Sequence, residues 1–312
     1  MKDNKLKDNN LKDNELKDKN LAVDIAGVQF KNPILAAAGT FGNGRGHSYL
    51  FDINILGGIV TPGISHKPWP GNPPVRIAET YGGMLSSIGL QNPGAKVFIE
   101  EDLPFMRKTL KNTKIIVNLC GRTVEEYIAV TKDFENVKGI DLFELNLSMS
   151  FATDPKLVEL VVSAVKVSVK TPLIVKLNPH ITDIVTIARA AEAGGADALS
   201  LINTIPGMKI DIYNKKPLLS GIMGGLSGPA IKPIALGMVY QVTKQVSLPV
   251  IGIGGIMTGE DAIEFIMAGA TAVGIGTANL VNPTATAEIL EEIEAFMTEQ
   301  KIGDINGIRG IV

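Results

Sequence analysis

At 312 residues, with 45% apolar and 20% charged side chains and a formal net charge of −2, the chain has the make-up of a soluble globular protein. Its length suits one α/β barrel or two ordinary domains. So balanced a charge argues against a nucleic-acid partner or an anionic membrane surface. No run approaches the ~18 apolar residues of a membrane span, and the polar N-terminus lacks a secretory apolar core, which makes the cytoplasm the expected compartment. Cys120 is the single cysteine, which excludes an intrachain disulfide framework and a cysteine metal cluster.

Residues 1–20 repeat LKDNN, LKDNE and LKDKN with a period of five, which matches neither a helix face nor a strand face. This predicts a solvated tail, with a docking peptide as the alternative suggested by the spaced leucines, followed by one folded domain over residues 21–312. From Leu21 onward short apolar runs alternate with amphipathic stretches. The runs are NPILAAAG (32–39), LGGIVTPG (56–63), KIIVNLCG (114–121), DLFELNLS (141–148), PLIVKLNP (172–179), DALSLINT (197–204), LPVIGIGG (248–255) and ATAVGIGT (270–277). Continuous rather than alternating apolar residues mean burial on both faces, as in a parallel sheet covered by helices.

Helix starts fall between them. Thr123 and Glu126 form a capping-box pattern before VEEYIAV, and Thr182 precedes DIVTIARAAEA, which ends at Gly194-Gly195. Thr258 precedes GEDAIEFIMAG, and Asn282-Pro283 puts proline at the expected first position of a last helix. Eight strands with intervening helices predict a (β/α)8 TIM barrel; a doubly wound sheet would need fewer parallel strands or a second domain. Two connections exceed what a barrel requires: 65–91 after the second strand and 205–226 after the sixth. Both leave the face where barrels build active sites, so they are expected to be lids or substrate walls.

The last two strands end in glycine, in IGIGG (251–255) and GIGTAN (274–279). Loops at these positions bind phosphate in many barrels, through unpaired backbone N–H groups and a helix N-terminus; the alternative is that the glycines only permit tight turns. Lys176 lies inside an apolar strand, where a lone cation is costly. It is either half of an internal ion pair or a cation beside the N1/O2 edge of a reduced flavin. Asn118, Asn146 and Asn203 stand near the ends of strands three, four and six, as a polar planar ligand would require. His47, His66 and His180 have no metal-ligand spacing.

Longer motifs now carry a resemblance. NPPVRIAET (72–80), GMLSSIGLQNPG (83–94), LSLINTIPGMKIDI (199–212), GGLSGPAIKP (224–233) and VIGIGGIMTGEDA (250–262) resemble the catalytic subunit of class 1B dihydroorotate dehydrogenases, from about Leu21 to the eighth barrel unit. The resemblance implies an FMN-bearing barrel that oxidises dihydroorotate to orotate in pyrimidine synthesis. It implies electron transfer to NAD through a partner subunit carrying FAD and an iron–sulfur cluster, in a homodimer or heterotetramer. By position it gives Gly63, Asn118, Asn146, Lys176, Ile202, Gly228, Gly254, Gly255, Gly276 and Thr277 to FMN. It gives Ile88, Gly89, Leu90, Asn146, Asn203 and Thr204 to dihydroorotate or an analogue.

The chain also departs from that pattern. The family's fourth strand ends Asn-x-Ser-Cys-Pro-Asn before a mobile loop. Here Asn146 and Ser148 remain, Met149 stands at the cysteine, Ser150 at the proline, and most of the loop is gone. A thioether has no proton to exchange and negligible basicity, so no catalytic base is assignable. Ser150 stands one position late on a segment expected to alternate its side chains, and Cys120 is expected to be a small apolar filler. Pro62 replaces a lysine, Ser86 an asparagine and Ala38 a serine of the family. Three readings follow: an FMN-dependent oxidoreductase of this type, a non-catalytic FMN-binding paralogue acting as a binding or regulatory subunit, and a flavin-free barrel acting as an assembly partner.

Overall fold

The computed structural model describes residues 19–312, with Met149 described by its backbone alone. The repeats of the expected tail therefore lie outside the described residues. Asn20, placed in that tail, is tied to the far end of the chain: its N–H donates to Gly303 O (2.8 Å) and its carbonyl accepts from Ile305 N (3.0 Å).

Eight parallel strands close into a barrel: β1 (Ile34–Ala36), β2 (Gly58–Val60), β3 (Lys114–Cys120), β4 (Leu142–Asn146), β5 (Leu173–Lys176), β6 (Ala198–Leu201), β7 (Val250–Ile253) and β8 (Ala272–Ile275). Each lies inside one of the eight apolar runs, and β8 pairs with β1 to complete the ring. The physical reason is the one the runs suggested: every residue of β5 to β8 is buried, because one face of each strand fills the barrel and the other meets the helices.

The outer helices are α1 (Leu103–Thr109), α2 (Val124–Asp133), α3 (Met149–Ala152), α4 (Pro155–Lys166), α5 (Ile184–Ala193), α6 (Lys232–Thr243), α7 (Gly259–Met267), α8 (Ala278–Val281) and α9 (Ala285–Glu299). α4 shows how they attach: Val158, Val161, Val162 and Val165, spaced by three and four residues, form its buried stripe. Each contributes about 1.5–3 kcal/mol by leaving water. No described helix is long and apolar enough to cross a membrane.

The caps differ in detail from expectation. Thr123 caps α2 by accepting from Glu126 N, but Glu126 reaches back to Arg122 N (2.7 Å). α5 is capped by Asp183, not Thr182, because one carboxylate oxygen can take both Val185 N and Thr186 N. Thr258 and Asp261 form the full capping box of α7. α9 starts at Ala285, so Pro283 lies in the turn before it, where Asn282 Oδ1 accepts from Thr284 N (3.1 Å).

The two long connections join each other. Ile77–Thr80 and Gly83–Ser86 from the first pair with Met223–Ser227 and Ile205–Met208 from the second in one antiparallel four-stranded sheet. The register places Leu226 opposite Leu85, and Leu85 packs with Ala78 and Leu219 in a small separate core. At the opposite end, the hairpin Val23–Ile25 and Val28–Phe30 sends the fully buried Phe30 towards the first residue of β2. A side chain at Gly58 would put its Cβ 3.0 Å from the Phe30 ring.

Candidate active site

The site is built from the C-terminal ends of the barrel strands. Register sets Asn146 beside Lys176 and Lys176 beside Ser200, while Asn118 lies beside Glu144. At the centre Lys176 Nζ stands 3.7 Å from Glu144 Oε2, the two side chains being 7% and 1% exposed. Glu144 also accepts from Asn118 Nδ2 and, on its other oxygen, from Ser200 Oγ (2.8 Å). The two readings of Lys176 are thus compatible: a carboxylate balances the cation from one side, which is what allows it to be buried. Sequence reasoning missed Glu144 and Ser200. The available signal was a carboxylate inside DLFELNLS, two residues before Asn146 and so on the same strand face.

Asn118 Oδ1 is buried and has no hydrogen-bond partner. It faces Gly63, where a Cβ would sit 3.2 Å from it, 3.4 Å from Cys120 Sγ and 3.4 Å from Leu90 Cδ2. A buried acceptor left open towards a side-chain-free position fits a planar ligand with its own N–H donor. Just above, Asn203 Nδ2 donates to Asn146 Oδ1 (3.1 Å) and Asn203 Oδ1 accepts from Thr204 N (2.9 Å). The segment Ile88-Gly89-Leu90 is held by Asn72, whose N–H donates to Ile88 O (2.9 Å), and by Asn92, whose Nδ2 donates to Leu90 O (2.8 Å).

The glycines form a second group. Gly254 follows β7 with φ +135°, and a Cβ there would lie 3.3 Å from Ile202 Cγ1. Gly255, at φ +75°, would meet Lys232 N at 2.6 Å, so only glycine lets this loop reach the start of α6. Gly228, leading into the same helix, lies against Thr277, whose Cγ2 is 3.5 Å from a Cβ built on it. Gly276 meets nothing closer than 4.0 Å. Lys232 binds Asp261 Oδ1 (2.5 Å) and Glu264 Oε2 (3.0 Å) on α7, and these bonds, that to Asp261 first, raise its pKa. It therefore clamps two helix starts together beside the cradle. Residues expected from sequence to hold phosphate and those expected to hold a ring converge on one mouth.

The turn after β4 is where the chain departs from the expected pattern. Residues 149–152 are helical, so the alternation expected around Ser150 does not hold, and Ser148 Oγ and Ser150 Oγ meet at 2.8 Å. The Met149 side chain lies outside the description. Asp154, the carboxylate of the connection 147–154, is occupied in capping α4 through Lys156 N (2.8 Å). Tyr127 on α2, fully buried, donates to Asn146 O (2.8 Å) and accepts from Ser148 N (2.9 Å). Burial pushes its pKa up to about 12. Burial likewise pushes the Cys120 thiol up to about 12, so it stays protonated at neutral pH and is no base.

The other singled-out residues lie elsewhere. His47 stacks on Phe41 at 3.7 Å and burial lowers its pKa; His66 pairs with Asp133 at 2.7 Å. Among the described residues no group of three or more His, Cys, Asp or Glu side chains could hold a metal ion.

Comparison with known proteins agrees with this geometry. Residues 20–297 match the family model described as "Dihydroorotate dehydrogenase". A relative from Alkaliphilus metalliredigens, named dihydroorotate dehydrogenase B (NAD(+)), catalytic subunit, is 56% identical over 93% of this chain and 98% of its own length. Relatives of the same name from Lachnoclostridium phytofermentans and Thermodesulfovibrio yellowstonii are 54% and 50% identical, over 94% and 93% of this chain and 99% and 98% of theirs. With the barrel, the polar cluster and the glycine cradle on one mouth, these matches establish that the chain belongs to the dihydroorotate dehydrogenase family.

Proposed function

We propose that the chain is an FMN-dependent catalytic subunit that oxidises dihydroorotate to orotate, with a proton-removal step that has lost its usual base. The observation that carries this reading is the buried Lys176–Glu144–Asn118–Ser200 cluster beneath the Asn146–Asn203 pair. Gly228, Gly254, Gly255, Gly276 and Thr277 would hold the phosphate of FMN through backbone N–H groups. Asn118 would accept from the ring, and Ile202 would pack against it. Lys176 would sit by the edge where negative charge accumulates on reduction, and Gly63 would leave the ring room. Bound FMN supplies the hydride acceptor. Asn146, Asn203 and Thr204, with the backbone of Ile88, Gly89 and Leu90, would orient dihydroorotate.

The relatives' name implies NAD(+) as final acceptor, and the reading extends this to a partner electron-transfer subunit carrying FAD and an iron–sulfur cluster. Because the connection 147–154 carries no cysteine, and its carboxylate Asp154 is exposed and caps α4 through Oδ1, the reading assigns no positioned base to proton removal. Loss of a positioned base costs about 10²–10⁴ in rate. The same shortfall favours a second reading, an FMN-binding subunit that does not turn substrate over. The test is a titration of flavin-free protein with FMN, followed by orotate. Tight FMN binding and an orotate-induced shift of the flavin absorption support the proposal. Failure to bind FMN refutes it, and FMN binding without an orotate response leaves only the second reading.

A further inference from the structure

Resting on that reading, we propose that Tyr127 is the positioning residue of the substrate end, setting the turn through Asn146 and Ser148 from the neighbouring helix α2. Its hydroxyl is bonded on both sides of the strand end, donating to Asn146 O (2.8 Å) and accepting from Ser148 N (2.9 Å). Both bonds are to backbone, so they fix where the chain leaves the barrel whatever side chain stands at 149. Asn146 carries the Oδ1 that meets Asn203. Ser148 carries the Oγ that meets Ser150. Moving this turn therefore moves both the substrate-orienting asparagine and the Ser148–Ser150 hydroxyl pair.

The ring is held for this task. It is fully buried, and Phe151 from the turn itself packs edge-on against it at 6.2 Å. Tyr127 O accepts from Thr131 Oγ1 (2.6 Å) within α2. Gly121 leaves room opposite: a Cβ there would lie 3.0 Å from both Tyr127 Cγ and Tyr127 N. A phenol so enclosed has few other positions to adopt, and its hydroxyl stays protonated, as the bond donated to Asn146 O requires.

The experiment compares Tyr127→Phe with Phe151→Leu in the FMN-loaded protein, reading orotate affinity, thermal stability and hydrogen exchange of the peptide spanning 147–154. Tyr127→Phe removes the hydroxyl and keeps the ring; it is expected to weaken orotate binding about tenfold, the order expected for losing buried hydrogen bonds, and to speed exchange at 147–154. Phe151→Leu loosens packing but keeps the hydroxyl, and is expected to lower the melting temperature while leaving orotate affinity within about twofold, below the ~tenfold that 1.4 kcal/mol represents. Wild-type orotate affinity and exchange in Tyr127→Phe would overturn the inference, as would equal loss of affinity in both variants. A wild-type protein that binds FMN but no orotate refutes the proposed substrate instead, and exchange then decides whether Tyr127 sets the turn.

Discussion

Replacing Lys176 by methionine removes the cation from a pair that is almost wholly inside the protein, with its partner Glu144 only 1% exposed. The carboxylate keeps its bonds from Asn118 and Ser200, but its charge then has no counterion. Breaking a buried pair from one side costs about 3–5 kcal/mol. In a protein of this size about 1 kcal/mol moves the melting temperature by ~2 °C, so flavin-free Lys176→Met should melt on the order of 6–10 °C below wild type. Adding Glu144→Gln removes the stranded charge. The new amide can accept from Ser200 and, after an amide flip, donate to the Asn118 Oδ1 that now lacks a partner. The double variant should therefore recover to within about 1 kcal/mol of wild type, while both variants make bound FMN harder to reduce. The assay is thermal unfolding followed by circular dichroism, with denaturant titration to give free energies. A single variant as stable as wild type, or a double variant less stable than the single, would refute the idea that Glu144 is the reason Lys176 can be buried.

Gly255→Ala forces a Cβ to within 2.6 Å of Lys232 N at φ +75°, so it should weaken FMN at least tenfold by titration and change riboflavin, which lacks the phosphate, far less. Cys120 gives a pH prediction: its folded pKa is raised to about 12 from an unfolded value near ~8.5. The unfolded chain then holds fewer protons above that value, so stability falls as pH rises. Cys120→Ala should flatten the stability curve from about pH 8.5 to 9.5, where the thiol of the unfolded chain ionises ahead of most of Tyr127; superimposable curves would contradict the burial argument. Met149→Cys should raise the rate of flavin reduction by dihydroorotate, measured by stopped flow, by less than the full ~10²–10⁴ of a positioned base, because the proposed reading includes a shortened loop that would not order the thiol.

The barrel was legible because a parallel sheet buries both strand faces, which makes each strand a short apolar block that no surface element imitates. Lys176 stood out for the same reason: a cation in such a block needs an explanation. Its partner was harder. Glu144 lies in the neighbouring block, and which of several carboxylates answers a buried lysine depends on strand register, which spacing alone leaves open. Thr182 and Asp183 are adjacent capping candidates, and the carboxylate won by taking two N–H groups at once. The long connections could be recognised by length, but their pairing joins residues some 140 positions apart, as in Gly225 opposite Ser86, a relation no local pattern carries. Ser150 is judged from sequence on the alternation of extended chain, but residues 149–152 coil into a helical turn and the two serines meet. Tyr127 carries no signal within VEEYIAV, because the reach of its hydroxyl into the next unit is a tertiary fact.

The most direct measurement is the rate at which dihydroorotate bleaches bound FMN in the absence of oxygen. On the proposed reading, in which the connection 147–154 supplies hydroxyls but no positioned base, bleaching should be complete but slow, some ~10²–10⁴-fold below a relative with its base in place. Bleaching as fast as in such a relative would contradict the loss of the base, and a flavin that never bleaches would contradict the retained hydride chemistry.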